Sequence, residues 1–317
     1  MPRSELLIAA DVPSRRLDLQ LLDLLREKNP ELSRASLREM FKAGRVHVNG
    51  RVAAAALELP PGSYQIDLLG EVSTGPRVAA RAQTEFLPVV YEDDELLILN
   101  KRSGTPSVPQ SPDETDTACG SALARHPELS SVGRGGFEPG ILHRLDTGTS
   151  GLIVFARTDA EFSRLKELWK QTQVRKTYRA LVRATDEEAL ERLKKELSRL
   201  PYRIDTPMGH DPKSAKRMVV VSHPGVSTRG PALPAVTWVR AVREVGSGLL
   251  DFEIEIETGV MHQIRCHLAS LGFPLQGDSV YRGIPSRRLW LHAWKIELPM
   301  VSGALLKLQS ALPDSWP

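Results

Sequence analysis

The sequence predicts an α+β protein in two units, and three features of the chain carry that expectation. Leu17, Leu21, Leu24 and Leu25 recur at helical spacing ahead of a hairpin signal at residues 45–51. Residues 73–85 show no hydrophobic period and read as a linker. Beyond them, alternating or wholly apolar runs at 87–101, 152–156, 174–182, 235–242 and 249–257 read as strands, between helical stripes at 159–171 and 186–200. A chain of 317 residues is long enough for two cores.

Composition excludes little. Lys plus Arg (42) against Asp plus Glu (39) leaves +3, so any affinity for nucleic acid has to come from local clustering of charge. Cys119 and Cys266 are the only cysteines, which excludes a disulfide framework and fits a reducing cytosol. The N-terminal apolar run is too short for a signal peptide and no run approaches about 18 apolar residues. The expectation is a soluble, cytoplasmic protein without a membrane partner.

In the first unit, residues 1–72, an apolar strand at 6–10 breaks at 11–14 and leads into the leucine helix at 16–28. Ser33 is the expected cap of a second helix over 34–42, with Leu37, Met40 and Phe41 inward and Arg34, Arg38 and Lys42 on one face at i, i+4, i+8. Arg45-Val46-His47-Val48-Asn49-Gly50-Arg51 then alternates into an Asn-Gly turn. A lone cationic stripe is usually a solvated face. This one adjoins Arg45, His47 and Arg51 with no acid among them, which concentrates positive charge where phosphates bind.

The second unit, residues 86–317, opens with two strands joined by an acidic turn, and Lys101 ends the second. A loop at 105–114 and a helix at 116–125 follow. The central stretch is Gly140-Ile141-Leu142-His143-Arg144-Leu145-Asp146-Thr147-Gly148-Thr149-Ser150-Gly151-Leu152-Ile153-Val154-Phe155-Ala156. An isolated Asp-Thr-Gly is usually a turn beside a salt bridge. Here Arg144 and Asp146, two apart, share one side of an extended segment, with Thr147, Thr149 and Ser150 as further donors. An oriented carboxylate in that setting suits a nucleophile or a base.

Residues 174–182 place Arg175, Thr177 and Arg179 on one side of a strand and Lys176, Tyr178 and Ala180 on the other. A tyrosine there is more often core than catalyst. Residues 205–218 form a basic loop without a period; Lys213, Lys216 and Arg217 divide evenly between solvation and RNA contact. In Thr258–Gly272 the trio His262, Cys266 and His267 suggests a metal, since i and i+4 share a helix face. No further Cys-His cluster completes four ligands, so no metal is expected. Trp290 and Leu291 read as sheet packing, and past Ile296 comes a terminal strand and tail.

His143-Arg144-Leu145-Asp146, followed by Thr149-Ser150-Gly151-Leu152, resembles the signature loop of the RluA-type pseudouridine synthases, which isomerise chosen uridines in structured RNA. The resemblance implies that Asp146 is catalytic and that Tyr178, in Lys176-Thr177-Tyr178-Arg179-Ala180, stacks on the target base. Removing the proton from the newly attached carbon is a second candidate role for Tyr178, although a phenol with a pKa of about 10 is a poor base unless perturbed. Arg265, in His262-Gln263-Ile264-Arg265, is implied to pair with Asp146. His143 or Arg144 would fill the hole left by the flipped base, Lys101 and Leu291 would belong to the substrate site, and no cofactor would be needed. Arg102 stands where the family has proline after Asn100-Lys101, and Val260-Met261 stand where it has Arg-Thr.

Residues 14–72 are similar to the S4-like RNA-binding domain. The implied architecture is that small domain (1–72), the linker (73–85), and a catalytic domain (86–317) with a mixed, mainly antiparallel sheet flanked by helices. The implied partner is structured RNA: large-subunit ribosomal RNA first, transfer RNA as runner-up, read by a monomer. A non-catalytic ribosome-assembly protein of the same fold is the rival. A kinase is not, because its motif puts Asp directly after Arg and requires a Gly-rich loop that is absent here.

Overall fold

The computed structural model describes residues 3–8, 16–28, 37, 40–69, 86–111, 114–134, 136–184, 186–246 and 248–317. Helix α1 (Leu17–Lys28) faces a four-stranded antiparallel sheet of β1 (Arg3–Ile8), β2 (Val46–Val48), β3 (Arg51–Val52) and β4 (Gly62–Leu68), ordered β1-β4-β2-β3. Leu17, Leu21 and Leu25 bury the expected stripe against Val46, Ile66 and Leu68. Asn49 and Gly50 take left-handed conformations, φ 48° and 76°, which is the primed turn that an Asn-Gly hairpin requires. β4 had no distinct sequence signal. Lys42 and Arg45 are exposed. Ser33, Arg34, Arg38 and the linker at 73–85 lie outside the described residues.

The second unit is organised on a nine-stranded sheet. Its order is β5 (Val89–Glu92), β6 (Leu96–Lys101), β7 (Ser150–Ala156), β15 (Leu291–Pro299), β8 (Arg175–Arg183), β14 (Leu249–Ile256), β13 (Thr237–Gly246) and β9 (Tyr202–Ile204), with β16 (Leu305–Gln309) paired to β15. Only β7–β15 is parallel, so the sheet is mixed and mainly antiparallel, as expected. Helices α2 (Ala118–Arg125) and α5 (Gln263–Ser270) contribute to one core with Phe155, Tyr178 and Phe252. Helix α3 (Asp159–Lys170) places Leu165 in another, against Val154, Ile296 and Leu298. Helix α4 (Glu187–Glu196) carries the charged stretch and buries Leu193.

The basic segment at 205–218 is not wholly loop. It contains β10 (Met208–His210), which pairs with β11 (Met218–Val220) and β12 (Arg229–Leu233) in a small sheet of its own. Three-residue strands are shorter than the window in which a period is visible; burial of Met208 and Met218 fixes them instead.

Gly151 shows why the signature loop carries glycine. Its φ is +111°, and a Cβ there would lie 2.2 Å from the carbonyl oxygen of Ala293, because β7 and β15 approach backbone to backbone. Gly151→Ala is therefore expected to destabilise the protein by more than about 2 kcal/mol. Urea denaturation checks this, and an unchanged midpoint would show that the strands do not need that approach.

Candidate active site

Asp146 sits in the loop entering β7, and that loop is held by side chains of residues 101–107. The Ser107 hydroxyl accepts from Leu145 N (2.9 Å) and donates to Leu145 O (2.7 Å), Ser103 Oγ donates to Gly148 O (2.7 Å), and Gly104 N donates to Thr147 O (2.8 Å). Thr149 N closes the turn on Asp146 O at 2.9 Å.

Lys101, expected to meet substrate, is instead fully buried beneath this loop. Its ammonium donates to the carbonyls of Arg102 (3.1 Å), Thr105 (2.6 Å) and Thr147 (3.2 Å). A Lys Nζ has three protons, and all three are taken. Burial pushes it down to about 7, offset in part by the negative charge of Asp146. Its geometry is that of a staple between two loops.

The guanidinium on Asp146 comes from Arg265 of α5, not from Arg144. Arg265 Nη1 donates to Asp146 Oδ2 at 2.7 Å, while Nε and Nη2 make a two-pronged contact with Asp278, 2.7 and 2.8 Å. Its partners hold Arg265 above the ordinary arginine range despite its burial. Asp146 Oδ1 has no hydrogen-bond partner among the described residues, so one carboxylate oxygen is fixed and one is free. The start of α5 is set by Gln263: its side-chain oxygen accepts from Thr258 Oγ1 and Val260 N, and its amide donates to Val236 O. His262, left-handed at φ 55°, brings Nε2 to 3.8 Å from Asp146 Oδ2. Burial lowers its pKa.

Tyr178 is buried, and burial followed by the Asp146 charge pushes its phenol well above the ordinary range. A phenol held protonated in this way is a wall and a poor base. Arg144 is exposed and pairs with Glu138 at 3.3 Å. His143 instead stacks on Trp169, ring centroids 5.2 Å apart, and accepts from Val154 N. Leu291 is buried in β15 opposite Ala180. Val260 packs near Met208 and Tyr281, and Met261 is exposed.

The metal-like trio has separate partners. His267 bridges Thr237 Oγ1 and Thr206 O, both at 2.9 Å, Cys266 Sγ donates to Met218 O, and His262 reaches the Tyr281 hydroxyl.

Two participants carried no assigned role in the sequence. Asp278 fixes the plane of Arg265; its segment, Gly277-Asp278-Ser279-Val280-Tyr281, resembles a family segment, and that was its signal. His292 lies under the loop in a buried chain: Arg288 Nη2 donates to Ser150 Oγ (2.6 Å), Ser150 bonds His292 Nδ1 (2.8 Å), and Nε2 bonds Ser310 Oγ (2.7 Å). Ser310 Oγ donates to the carbonyls of Ala293 and Trp294, so it accepts from His292 Nε2, and Nδ1 in turn accepts from Ser150.

Two predictions follow from this geometry. Lys101→Met should lower kcat about tenfold to a hundredfold through a loosened loop, with RNA affinity and its salt dependence unchanged; a weaker salt dependence would put the ammonium on RNA. Burial and the Arg288 charge depress His292 to about 4, against about 6.5 unfolded. Between those values the unfolded chain binds a proton that the native one does not, so stability is full above pH ~6.5. It should fall by on the order of 3 kcal/mol as pH drops to ~4. Urea midpoints across that range, flattened in part by His292→Gln, check it.

Comparison with known proteins shows the family. Residues 95–270 match the family model described as RNA pseudouridylate synthase. A Ribosomal large subunit pseudouridine synthase D of Nitrosomonas europaea is 32% identical over 98% of this chain and 85% of its own. An uncharacterised RNA pseudouridine synthase of Synechocystis is 30% identical over 98% of this chain and 91% of its own. Among solved structures, Human RNA Pseudouridylate Synthase Domain Containing 1 superposes with a TM-score of 0.55 at 22% identity, covering 73% of this chain and 86% of its own, a likeness of fold. With Asp146 in the signature loop and Arg265 on its carboxylate, the chain belongs to the RluA-type RNA pseudouridine synthases.

Proposed function

We propose that this chain converts specific uridines of large-subunit ribosomal RNA to pseudouridine, with Asp146 as the essential carboxylate. Residues 1–72 would act as an S4-like RNA-binding domain, joined by residues 73–85 to a catalytic domain at 86–317. The ribosomal target is suggested by the names of relatives that match over nearly the whole chain, among them the Nitrosomonas enzyme. The exposed Lys42 and Arg45 beside the β2–β3 hairpin support a phosphate-binding role for the first unit.

The observation that carries the reading is the division of labour on Asp146: Oδ2 is held by Arg265 while Oδ1 is left for substrate. The isomerisation detaches uracil at a ring nitrogen, turns it, and rejoins it through a ring carbon; that carbon gives its proton to a base and the freed ring nitrogen ends protonated. Atoms are conserved, so an oriented carboxylate and a closed pocket are the main requirements. Tyr178 supplies a flat wall for the loose base. The target must first leave the RNA stack, and the exposed Arg144 is better placed than His143 to occupy its position.

Carbodiimide and primer-extension profiling of ribosomal RNA from deletion cells tests this, with complementation by wild type or Asp146→Asn. A stop lost on deletion should return with wild type and stay absent with Asp146→Asn, whose turnover should fall about a thousandfold or more. Retention of every ribosomal stop after deletion would redirect the assay to transfer RNA. Silence there as well would favour a non-catalytic RNA-binding role.

A further inference from the structure

We propose that His262 is a positioning residue for the reaction: its Nε2–H is the second donor to Asp146 Oδ2, beside Arg265, and keeps Oδ1 turned towards substrate. The inference rests on the reading of this chain as an RNA pseudouridine synthase acting through Asp146, and adds a residue to that site.

His262 is held at φ 55° and ψ 21° immediately before α5, a left-handed conformation that residues with a Cβ seldom adopt. The helix gains no cap from it, because its side chain makes no bond to the first turn. The Gln263 side chain braces that turn instead, on Thr258 and Val260. What the conformation achieves is to bring the imidazole to Asp146. A sparsely populated backbone state beside a reactive carboxylate marks a functional position.

The ring is 13% exposed and lies edge-on to Tyr281, centroids 5.7 Å apart and planes at 80°. Nδ1 is 3.3 Å from the Tyr281 hydroxyl, and Nε2 is 3.8 Å from Asp146 Oδ2. A bare nitrogen lone pair facing a carboxylate is repelled, whereas an N–H is attracted, so Asp146 favours the Nε2–H tautomer. Nδ1 then accepts from Tyr281. That hydroxyl is free to donate there: it accepts from Met218 N at 2.9 Å, and Met218 O, its other acceptor at 3.3 Å, also takes the Cys266 thiol.

The charged groups facing the ring are Asp146 from the signature loop, Arg265 from α5 and Asp278 from the segment bearing Tyr281. Burial is the largest influence and holds the ring below the ordinary histidine range, so it meets Asp146 as a neutral donor. A carboxylate oxygen has two lone pairs, and Arg265 occupies one on Oδ2. The separation of 3.8 Å is ion-pair rather than hydrogen-bond distance. Such contacts are commonly long in a free enzyme and tighten when substrate closes the site.

Long-range 1H–15N spectra of the full chain read the His262 tautomer and titration without any substrate. Nε2–H is expected, and Asp146→Asn should lower the titration midpoint of the ring, since the negative charge that favours its protonated form is removed. A ring protonated on Nδ1, or a midpoint indifferent to Asp146→Asn, overturns the inference. Pseudouridine formation on ribosomal RNA is then followed against pH. Glycine takes a positive φ without strain, so His262→Gly removes the ring and spares the backbone. Its kcat should fall about tenfold to a hundredfold with KM little changed. The acid limb of kcat/KM should move to higher pH, because a carboxylate deprived of a donor protonates more readily. His262→Gln, which offers an amide donor, should recover part of both. A loss that is equal at every pH and not recovered by Gln means a purely structural ring and also overturns the inference. The wild-type spectrum decides the tautomer even if His262→Gly fails to fold. A wild type that makes no product while its His262 spectrum behaves as expected faults the catalytic reading alone, and product made by a chain with Nδ1–H faults this inference alone.

Discussion

The Arg265 guanidinium is the interaction on which the site depends, because it joins two carboxylates distant in sequence. Three of its donors are used: two on Asp278 and one on Asp146. A guanidinium is planar and its donors are fixed in that plane, so the two-pronged contact with Asp278 decides where the remaining edge points. Arg265 is buried enough that Asp146 alone would be a thin counter-charge. Asp278 supplies the rest and is itself held by the backbone N–H groups of Val280 and Tyr281. The Asp146 carboxylate is thus oriented by a chain of contacts that exists only once α5 has docked.

The loop bearing Asp146 has little regular structure, yet its backbone is largely satisfied. The carbonyls of residues 145, 147 and 148 accept from Ser107, from Lys101 and the Gly104 amide, and from Ser103. Buried carbonyls without partners are costly. Drawing their donors from one remote segment satisfies them and fixes the loop together. The Ser150–His292–Ser310 chain does the same from beneath. Preorganisation here is a matter of backbone hydrogen bonds, with the reactive group free on one oxygen.

Much of this was legible in the sequence. The signature loop, the Lys-x-Tyr strand and the α5 helix announced Asp146, Tyr178 and Arg265, because local spacing sets which side chains share a face and the motif set their grouping. Lys101 was misread for a physical reason: lysine is almost never fully buried, and the three carbonyls that make its burial tolerable belong to loops whose paths no local pattern reveals. Arg144 and Asp146 share a side in an ideal strand, but the segment turns at Asp146 and Arg144 is left to Glu138. Asp278 and His292 gain importance only through residues 13 and 142 positions away.

Net charge was the least informative quantity, and the structure shows why. Many cations beyond residue 86 are neutralised within the fold: Arg164 by the buried Glu161, Arg179 by the buried Asp251, Arg240 by Glu255. Such pairs cancel in a composition count and contribute little to a field felt by RNA. Only cations left without such a partner can add to a field outside the protein. A nearly neutral composition therefore says little about where a chain can meet an anion.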